Sequence, residues 1–340
     1  MIWGNLERFQ YRSRPCRGEI YDEIETLKGE DAMSSVIKSF SVCDKNGEQG
    51  DMFYIQHGTS NFTIIDCCLN DDTQDNIVDE IIEKANGKNI IRIISTHPDE
   101  DHICGLEYLD EKIRIVNFYC VKNCATKKDE SESFKHYCKL RDNPQKAYYV
   151  YKGCKRKWMN EWNPNDPNDS GCSGINFLWP ITSNSYYQDA LQKATDGTAF
   201  NNISPIFTYK LNGGVKVMWM GDMEHDFLDK VKDDILWQDV DILFAPHHGR
   251  ESGKIPPDVL KKINPQIIVI GEAPSQHLNY YSGYNTITQN SAKDITFRCE
   301  TGIVHVYVSS STYSVDYLKK KEDKIFSNEY YIGSFDTREQ

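Results

Sequence analysis

The sequence predicts a mixed α/β domain made of two sheets packed face to face, with helices on the outside. Three observations point to it. Short apolar runs rich in β-branched and aromatic residues alternate with amphipathic helical patterns. The alternation occurs twice, each time after a hairpin, on either side of a basic middle segment. Two sheets with helices outside would cover all of these apolar faces. At 340 residues and 39% apolar content, the chain can bury one large core or two medium ones.

Residues 1–42 have mixed charge and little periodicity, and read as an N-terminal extension. The domain is expected over residues 43–310, with a basic and aromatic insertion at about 121–172 and a tail at 311–340. Met52 to Gln56 and Phe62 to Asp66 flank a polar turn and predict a hairpin. Apolar residues at 77, 78, 81, 82 and 85, between Asp75 and Gly87, predict an amphipathic helix. Residues 90–95 read as a buried strand, 103–109 as a helix and 113–120 as another strand. In the second half, 175–179 predicts a strand, 186–194 a helix, and 206–211 with 215–220 a hairpin across Asn212-Gly213-Gly214. A strand at 240–244, a helix at 257–263, a strand at 266–270 and a last hairpin at 295–308 complete the pattern.

Composition excludes several classes. No apolar stretch reaches the ~18 residues needed to span a membrane. The first ten residues carry charge and no apolar run, so no secretory signal is expected and a cytoplasmic address follows. Eleven cysteines, an odd number in a long chain and mostly in strand-like runs, read as reduced core residues. The formal net charge of -12 argues against indiscriminate nucleic-acid binding by the whole surface. From Lys122 to Lys157 the balance reverses, with eleven basic and four acidic residues giving a local net of +7. Tyr137, Tyr148, Tyr149, Tyr151, Trp158 and Trp162 are interleaved or follow closely. Such a segment is either a stacking platform for single-stranded nucleic acid, with Lys155 and Arg156 as phosphate contacts, or a solvated insertion whose aromatics pack on the core.

Chemistry concentrates where strands end. The strand at 90–95 runs into Thr96-His97-Pro98-Asp99-Glu100-Asp101-His102, four potential metal ligands in six positions. Held together, two imidazoles and two carboxylates are favourable mainly with a divalent cation between them. Two later strands close on Gly221-Asp222 and on Pro246-His247-His248-Gly249. Taken singly, Asp222 could equally cap a helix, and the two histidines could be a satisfied polar pair. The joint pattern points to one metal site.

These motifs resemble the metallo-β-lactamase superfamily, and most closely the C-terminal metallohydrolase domain of the DNA-uptake channel protein ComEC. The resemblance runs in order from Glu48-Gln49-Gly50-Asp51 through Ile64-Ile65-Asp66, Thr96 to His102, Cys104-Gly105-Leu106, Asn202-Ile203-Ser204 and Gly221-Asp222 to Pro246-His247-His248-Gly249, over about residues 43–308. It implies the αββα sandwich and a site for one or two divalent ions. Zinc or manganese is expected, and the oxygen-rich donor set also admits magnesium. One site would use Asp101, His102, Asp222 and one of His247 or His248; the other would use His97, Asp99 and Asp222, with Asp222 bridging. The superfamily's mid-chain metal-binding histidine has no match near Asn202, which leaves the second site short of a ligand.

Asp101 and Asp99 are the expected catalytic carboxylates. A bound metal lowers the pKa of water to about 7 and polarises the oxygen under attack. Asn202, Ser204 and His277 are candidates for substrate contact, with loop capping the alternative for the first two. Gly50-Asp51 would shape the first turn, and Asp66 would support a ligand from behind. The expected function is a metal-dependent phosphodiesterase or nuclease acting on a phosphate-bearing substrate. Ester, thioester or lactam hydrolysis on the same fold is the alternative, as is a binding module with a degenerate site. A protein partner or self-association is also compatible, whereas a membrane partner is not expected.

Overall fold

A computed structural model describes residues 34–42, 49–163, 165–166, 169–277, 279–320 and 329–338. Among these residues, nine strands form one sheet and six another. The first sheet contains β1 (Ser35–Ser39), β2 (Phe53–Gln56), β3 (Asn61–Ile65), β4 (Ile90–Ile94), β5 (Phe118–Cys120) and β6 (Ala147–Tyr149). The second contains β7 (Ile175–Trp179), β8 (Ile206–Lys210), β9 (Lys216–Trp219), β10 (Ile242–Phe244), β11 (Ile267–Ile270) and β12 (Thr286–Thr288). The chain then returns to the first sheet with β13 (Ile295–Glu300), β14 (Ile303–Val308) and β15 (Tyr330–Asp336). The strand orders are β15-β14-β13-β1-β2-β3-β4-β5-β6 and β12-β11-β10-β9-β8-β7.

Each sheet is antiparallel on one side and parallel on the other. In the first, β3 to β6 run parallel; in the second, β9 to β12 do. The central parallel strands of the second sheet, Ile242–Phe244 and Ile267–Ile270, are wholly apolar and buried, because both of their faces are covered. Ligands in such sheets gather at the carboxyl ends of parallel strands. Here those ends are Ile65, Ile94, Trp219 and Phe244, each followed within four residues by an acidic residue or a histidine.

The sheets are joined by an aromatic seam. Phe53 of the first packs edge-on against Phe244 at 4.9 Å and Trp219 at 6.4 Å, both from the second. Trp219 stacks between Phe207, 5.5 Å away, and Phe244, 5.0 Å away, while Phe297 of β13 closes on Phe244 at 6.3 Å. Helices Gln74–Ala85, Ser185–Thr195 and Pro257–Ile263 turn apolar stripes inward through Ile77, Val78 and Ile81, through Tyr187, Ala190 and Ala194, and through Val259, Leu260 and Ile263.

Several expectations are corrected. The proposed extension 1–42 overlaps β1, an interior strand paired with β2 and β13. Its mixed charge hides a buried Lys38, which meets Glu80 at 2.8 Å, Glu329 at 3.2 Å and Asp294 at 3.4 Å. The proposed tail contains β15, paired with β14. The basic insertion supplies helix Glu132–Arg141 and β6, which extends the first sheet, so part of it is built into the layer. The expected helix at 103–109 divides into Glu100–Ile103 and Leu106–Ile113, with Gly105 in the left-handed region between them. The second piece takes up Ile113, which shortens the following strand to Phe118–Cys120.

The nine described cysteines are free thiols. No described helix is long and apolar enough to cross a membrane. Replacing Phe244 with Ala should destabilise the domain by about 3–5 kcal/mol, because it empties the centre of the aromatic seam. Chemical denaturation would measure this, and a loss below about 1 kcal/mol would reject the seam as what holds the sheets together.

Candidate metal centre

Four strand ends deliver side chains to one point. Asp51, His102, Asp222 and His248 each offer a ligand atom, and these atoms all lie within 4.8 Å of one another. His102 comes from the short helix Glu100–Ile103 that follows β4, Asp222 from the end of β9 and His248 from the end of β10. Asp51 precedes β2, and its backbone N–H donates to the Asp101 carbonyl at 3.0 Å. That pairing requires Gly50, since a Cβ there would run into the Asp101 carbonyl. Gly221, at φ 52°, makes a similar close approach to Ser204 and Thr96.

A supporting layer aims the imidazoles. Asp66, buried and at φ 55°, accepts from the Thr96 N–H at 2.7 Å and the Thr96 hydroxyl at 2.8 Å, and its other contact is His102 Nδ1 at 2.9 Å. That contact fixes the His102 ring so that Nε2 faces Asp222 Oδ1, 3.1 Å away. His248 Nδ1 meets Asp51 Oδ1 at 3.1 Å, while its Nε2 lies 3.3 Å from Asp101 Oδ2 and 3.5 Å from Asp222 Oδ2. The Ser204 hydroxyl accepts from the Asp222 N–H at 3.3 Å.

The charges hold one another. Burial opposes the imidazolium of His102, but the carboxylates of Asp222 and Asp66 outweigh it and keep its pKa well above the ordinary value. His248 behaves alike, with burial overcome by Asp51 and Asp222. Burial would raise the Asp222 carboxyl, yet His102 and His248 draw it well below the usual range. Asp101 is drawn down too, burial being outweighed by the hydrogen bond from His248 and by the charges of His102 and His248.

These residues suit a divalent cation. His97 Nε2, His102 Nε2 and Asp222 Oδ1 are buried and make no well-formed hydrogen bond, having only ion-pair contacts, His102 to Asp222 at 3.1 Å and His97 to Asp99 at 3.4 Å, and an ion would complete them. Imidazole nitrogens and carboxylate oxygens together make a donor set for a divalent metal ion.

The residues expected from the sequence are distributed around this cluster. His102, Asp222 and His248 lie inside it, and Asp101 borders it through His248. His97 and Asp99 form an adjoining pair, Nε2 to Oδ2 at 3.4 Å, with the His97 ring 4.2 Å from that of His102. His247 stands 3.7 Å from Asp222 Oδ2, and its Nδ1 contacts the Ser252 hydroxyl at 2.8 Å. Of the paired histidines, His248 is therefore the one in the cluster.

Asn202 is occupied in holding Glu224, through its amide NH2 at 2.7 Å and its carbonyl oxygen at 3.0 Å. His277 stacks on Tyr280, whose hydroxyl donates to Glu251 in the loop beyond Gly249. Lys155 pairs with Glu161, and Arg156 lies over the rings of Tyr148 and Tyr119 and donates to Asn117; none of these partners belongs to the cluster. The sequence reads Asp51 as a turn residue, and the structure adds it to the cluster. A Gly-Asp pair just before an apolar strand was the available signal, but separation from the other ligands in sequence concealed its role.

Two outcomes follow from this geometry. In the metal-free protein at pH 7 the raised imidazoles carry protons that a metal must displace, so zinc uptake should release on the order of one to two protons per ion. Calorimetry in buffers of differing ionisation enthalpy reads this directly, and affinity should fall steadily as pH drops through the raised imidazole range and on through 7. Replacing Asp66 with Ala should weaken zinc binding about 10- to 100-fold by freeing the His102 ring. Unchanged affinity in a competition with a chelator would show that Asp66 does not orient that ligand.

Residues 46–144 match the family model of the metallo-beta-lactamase superfamily. The crystal structure of DIM-1 metallo-beta-lactamase is similar at 13% identity, over 57% of this chain and 67% of that one, with a TM-score of 0.30. No curated protein matches. The family match stops at the superfamily and does not reach the narrower ComEC branch. Asp51, Asp66 and the whole loop from His97 to His102 lie within the residues that match the metallo-beta-lactamase superfamily model.

Proposed function

We propose that this protein is a metal-dependent hydrolase of phosphodiesters, a phosphodiesterase or nuclease. The observation that carries the reading is the convergence of Asp51, just before β2, with His102, Asp222 and His248, which follow the carboxyl ends of strands from two sheets. The superfamily consists mostly of metal-dependent hydrolases. A bound divalent ion would supply a Lewis acid for the phosphoryl oxygen and make water acidic enough to attack near neutral pH.

The chain's own groups supply the rest. His102, Asp222 and His248 would hold the ion, with Asp51 beside them, and His97 with Asp99 would serve a second. Asp101 is partly exposed and kept ionised by His248, so it is suited to accept a proton from attacking water. Asp99, exposed to a similar degree, borders the same space.

The preference for a phosphate-bearing substrate is supported by the oxygen-rich donors and by the reach of the basic segment. Lys127 lies 3.6 Å from Glu100, between two ligand-loop carboxylates in sequence, and is held over the rings of Phe134 and Phe200. A single-stranded nucleic acid is one such substrate. Much of the segment's aromatic content is spent on packing, with Tyr137 fully buried and Tyr148 and Tyr149 half-buried. Tyr151, Trp162, Lys155 and Lys157 remain exposed for a strand to meet.

Zinc- or manganese-loaded protein should hydrolyse bis(4-nitrophenyl) phosphate faster than a thioester or a lactam offered at equal concentration. Asp222→Ala and Asp101→Ala should each reduce that turnover at least about 100-fold while leaving the folded circular-dichroism spectrum unchanged. Full activity in either variant would refute the site, and preference for the thioester or lactam would move the assignment to the other hydrolase class.

A further inference from the structure

The basic and aromatic insertion ends beside a cavity that the metal chemistry does not use. It measures about 410 Å3 and is lined by His57, Thr59, Trp162, Tyr209, Lys210 and Leu211, among others. Both sheets place it at the edge of the sandwich opposite the metal centre. Asp51 precedes β2 and His57 follows it, so the full length of that strand separates them. Lys210 ends β8 opposite Lys216 at the start of β9, whereas Asp222 follows the other end of β9.

A polar atom opens into this space. The Thr63 hydroxyl accepts from Arg92 at 3.2 Å, so its own proton is directed to His57 Nε2, 2.9 Å away. Burial, with the charges of Arg92 and Lys88, holds the His57 imidazole well below its ordinary pKa. The ring is therefore neutral and carries its proton on Nδ1. That N–H has no partner among the described residues, and it is not sealed from solvent, so it faces the cavity that the ring lines. Tyr209 holds the ring edge-on, with centroids 5.2 Å apart.

The charge around the cavity is of one sign. Lys88 Nζ donates to the His57 and Thr59 carbonyls at 2.5 and 2.8 Å, and the buried Arg92 donates to Asn61, Thr63 and the Trp158 carbonyl. Among the described residues neither cation meets a carboxylate, nor does Lys210, which is exposed on the wall. No acidic side chain lines the cavity. Trp162 lines it too and is 54% exposed, which leaves a broad indole surface for a flat ring to stack on.

We infer that this cavity is a second ligand site, built for a nucleobase that carries a phosphate. The base stacks on Trp162, an acceptor atom of the ligand receives the His57 Nδ1 proton, and the phosphate meets Lys210. A plain arene would leave the imidazole N–H unmatched, and a neutral base would leave the cations unmatched. The volume is near the lower end for small-molecule sites, which suits one nucleotide unit. The inference does not rest on the proposed reaction, and its binding is measured without turnover.

The test is calorimetric titration of adenosine monophosphate into metal-free protein, which should bind one nucleotide per chain. Trp162→Ala, a change at the surface, should weaken binding about 10- to 100-fold. Lys210→Gln should reduce the advantage of the monophosphate over adenosine about 2- to 5-fold. His57→Phe keeps the ring and removes the N–H, and should cost about 5- to 10-fold. If that buried change unfolds the chain by circular dichroism, the two surface variants decide. Wild-type affinity in Trp162→Ala would overturn the inference. Binding that requires added zinc would also overturn it, by placing the nucleotide at the metal centre. So would displacement by an equal concentration of inorganic phosphate, because the base would then contribute nothing. A short deoxyadenylate strand separates two sources of the same chemistry. Tighter binding than the monophosphate, weakened alike in Trp162→Ala, supports the site with a strand end as its occupant; weaker binding supports it with a free mononucleotide.

Discussion

Asp222 sits at the end of β9 almost completely removed from water, and an ionised carboxylate in that position costs several kcal/mol unless it is matched. His102 and His248 supply the match from two different sheets' loops, and each is in turn held by a second carboxylate, Asp66 or Asp51. The result is an alternation of acid and imidazole in which no member is tolerable alone. Removing one leaves its neighbours as buried charges without partners. This mutual dependence explains why loops from four separate strand ends must arrive in register, and why the surrounding backbone is so heavily tied. The His247 N–H donates to the Gly221 carbonyl and the Asp51 N–H to the Asp101 carbonyl, so each loop is fixed by another loop as well as by its own strand.

The frame makes that convergence affordable. The aromatic seam of Phe53, Phe207, Trp219, Phe244 and Phe297 is apolar and non-directional, but its rings occupy strands whose ends carry the ligands. Trp219 is three residues from Asp222, and Phe244 four from His248. Packing that sets the depth of these strands also sets where their last side chains point. Parallel pairing of β9 with β10, and of β3 with β4, brings successive carboxyl ends to the same edge, which an antiparallel arrangement would have sent to opposite edges.

How much of this was legible depended on whether a feature was local. The strand ends announced themselves because an apolar run stopping on His or Asp is visible in a handful of residues, as with Ile90 to His102. The hairpins and the long amphipathic helix were legible for the same reason. Features defined by distant partners were not. Ser35–Ser39 looks mixed because Lys38 sits in it, and only the carboxylates of Glu80, Asp294 and Glu329, far along the chain, make that lysine a core residue. Tyr330–Asp336 is a strand because β14 offers it an edge. Asp51 joins the metal cluster through pairing with Asp101 and His248, neither of which a local window contains. Asn202 and Ser204 were visible as polar residues near the site, but only their partners, Glu224 and the Asp222 N–H, reveal that they position the site.

The backbone carries a last piece of the argument. His247, His248 and Gly249 all have positive φ, at 53°, 54° and 81°, and for two consecutive histidines this is a costly conformation, of order 1–3 kcal/mol at each residue. An ordinary turn would have avoided it with glycine or asparagine. Histidine is retained because the left-handed path brings His248 back between Asp51, Asp101 and Asp222 while the chain leaves in the direction of Arg250. Asp66 shows the same compromise at the end of β3, a non-glycine residue at φ 55° whose carboxylate serves Thr96 and His102 together. Arg114, Trp158, Asn264 and Lys293 also have positive φ but lie at turns away from the cluster, whereas Asp66, His247 and His248 accept the same cost in the layer that aims the imidazoles. There the conformation sets the direction of a ligand, and the apolar seam beneath offsets its cost.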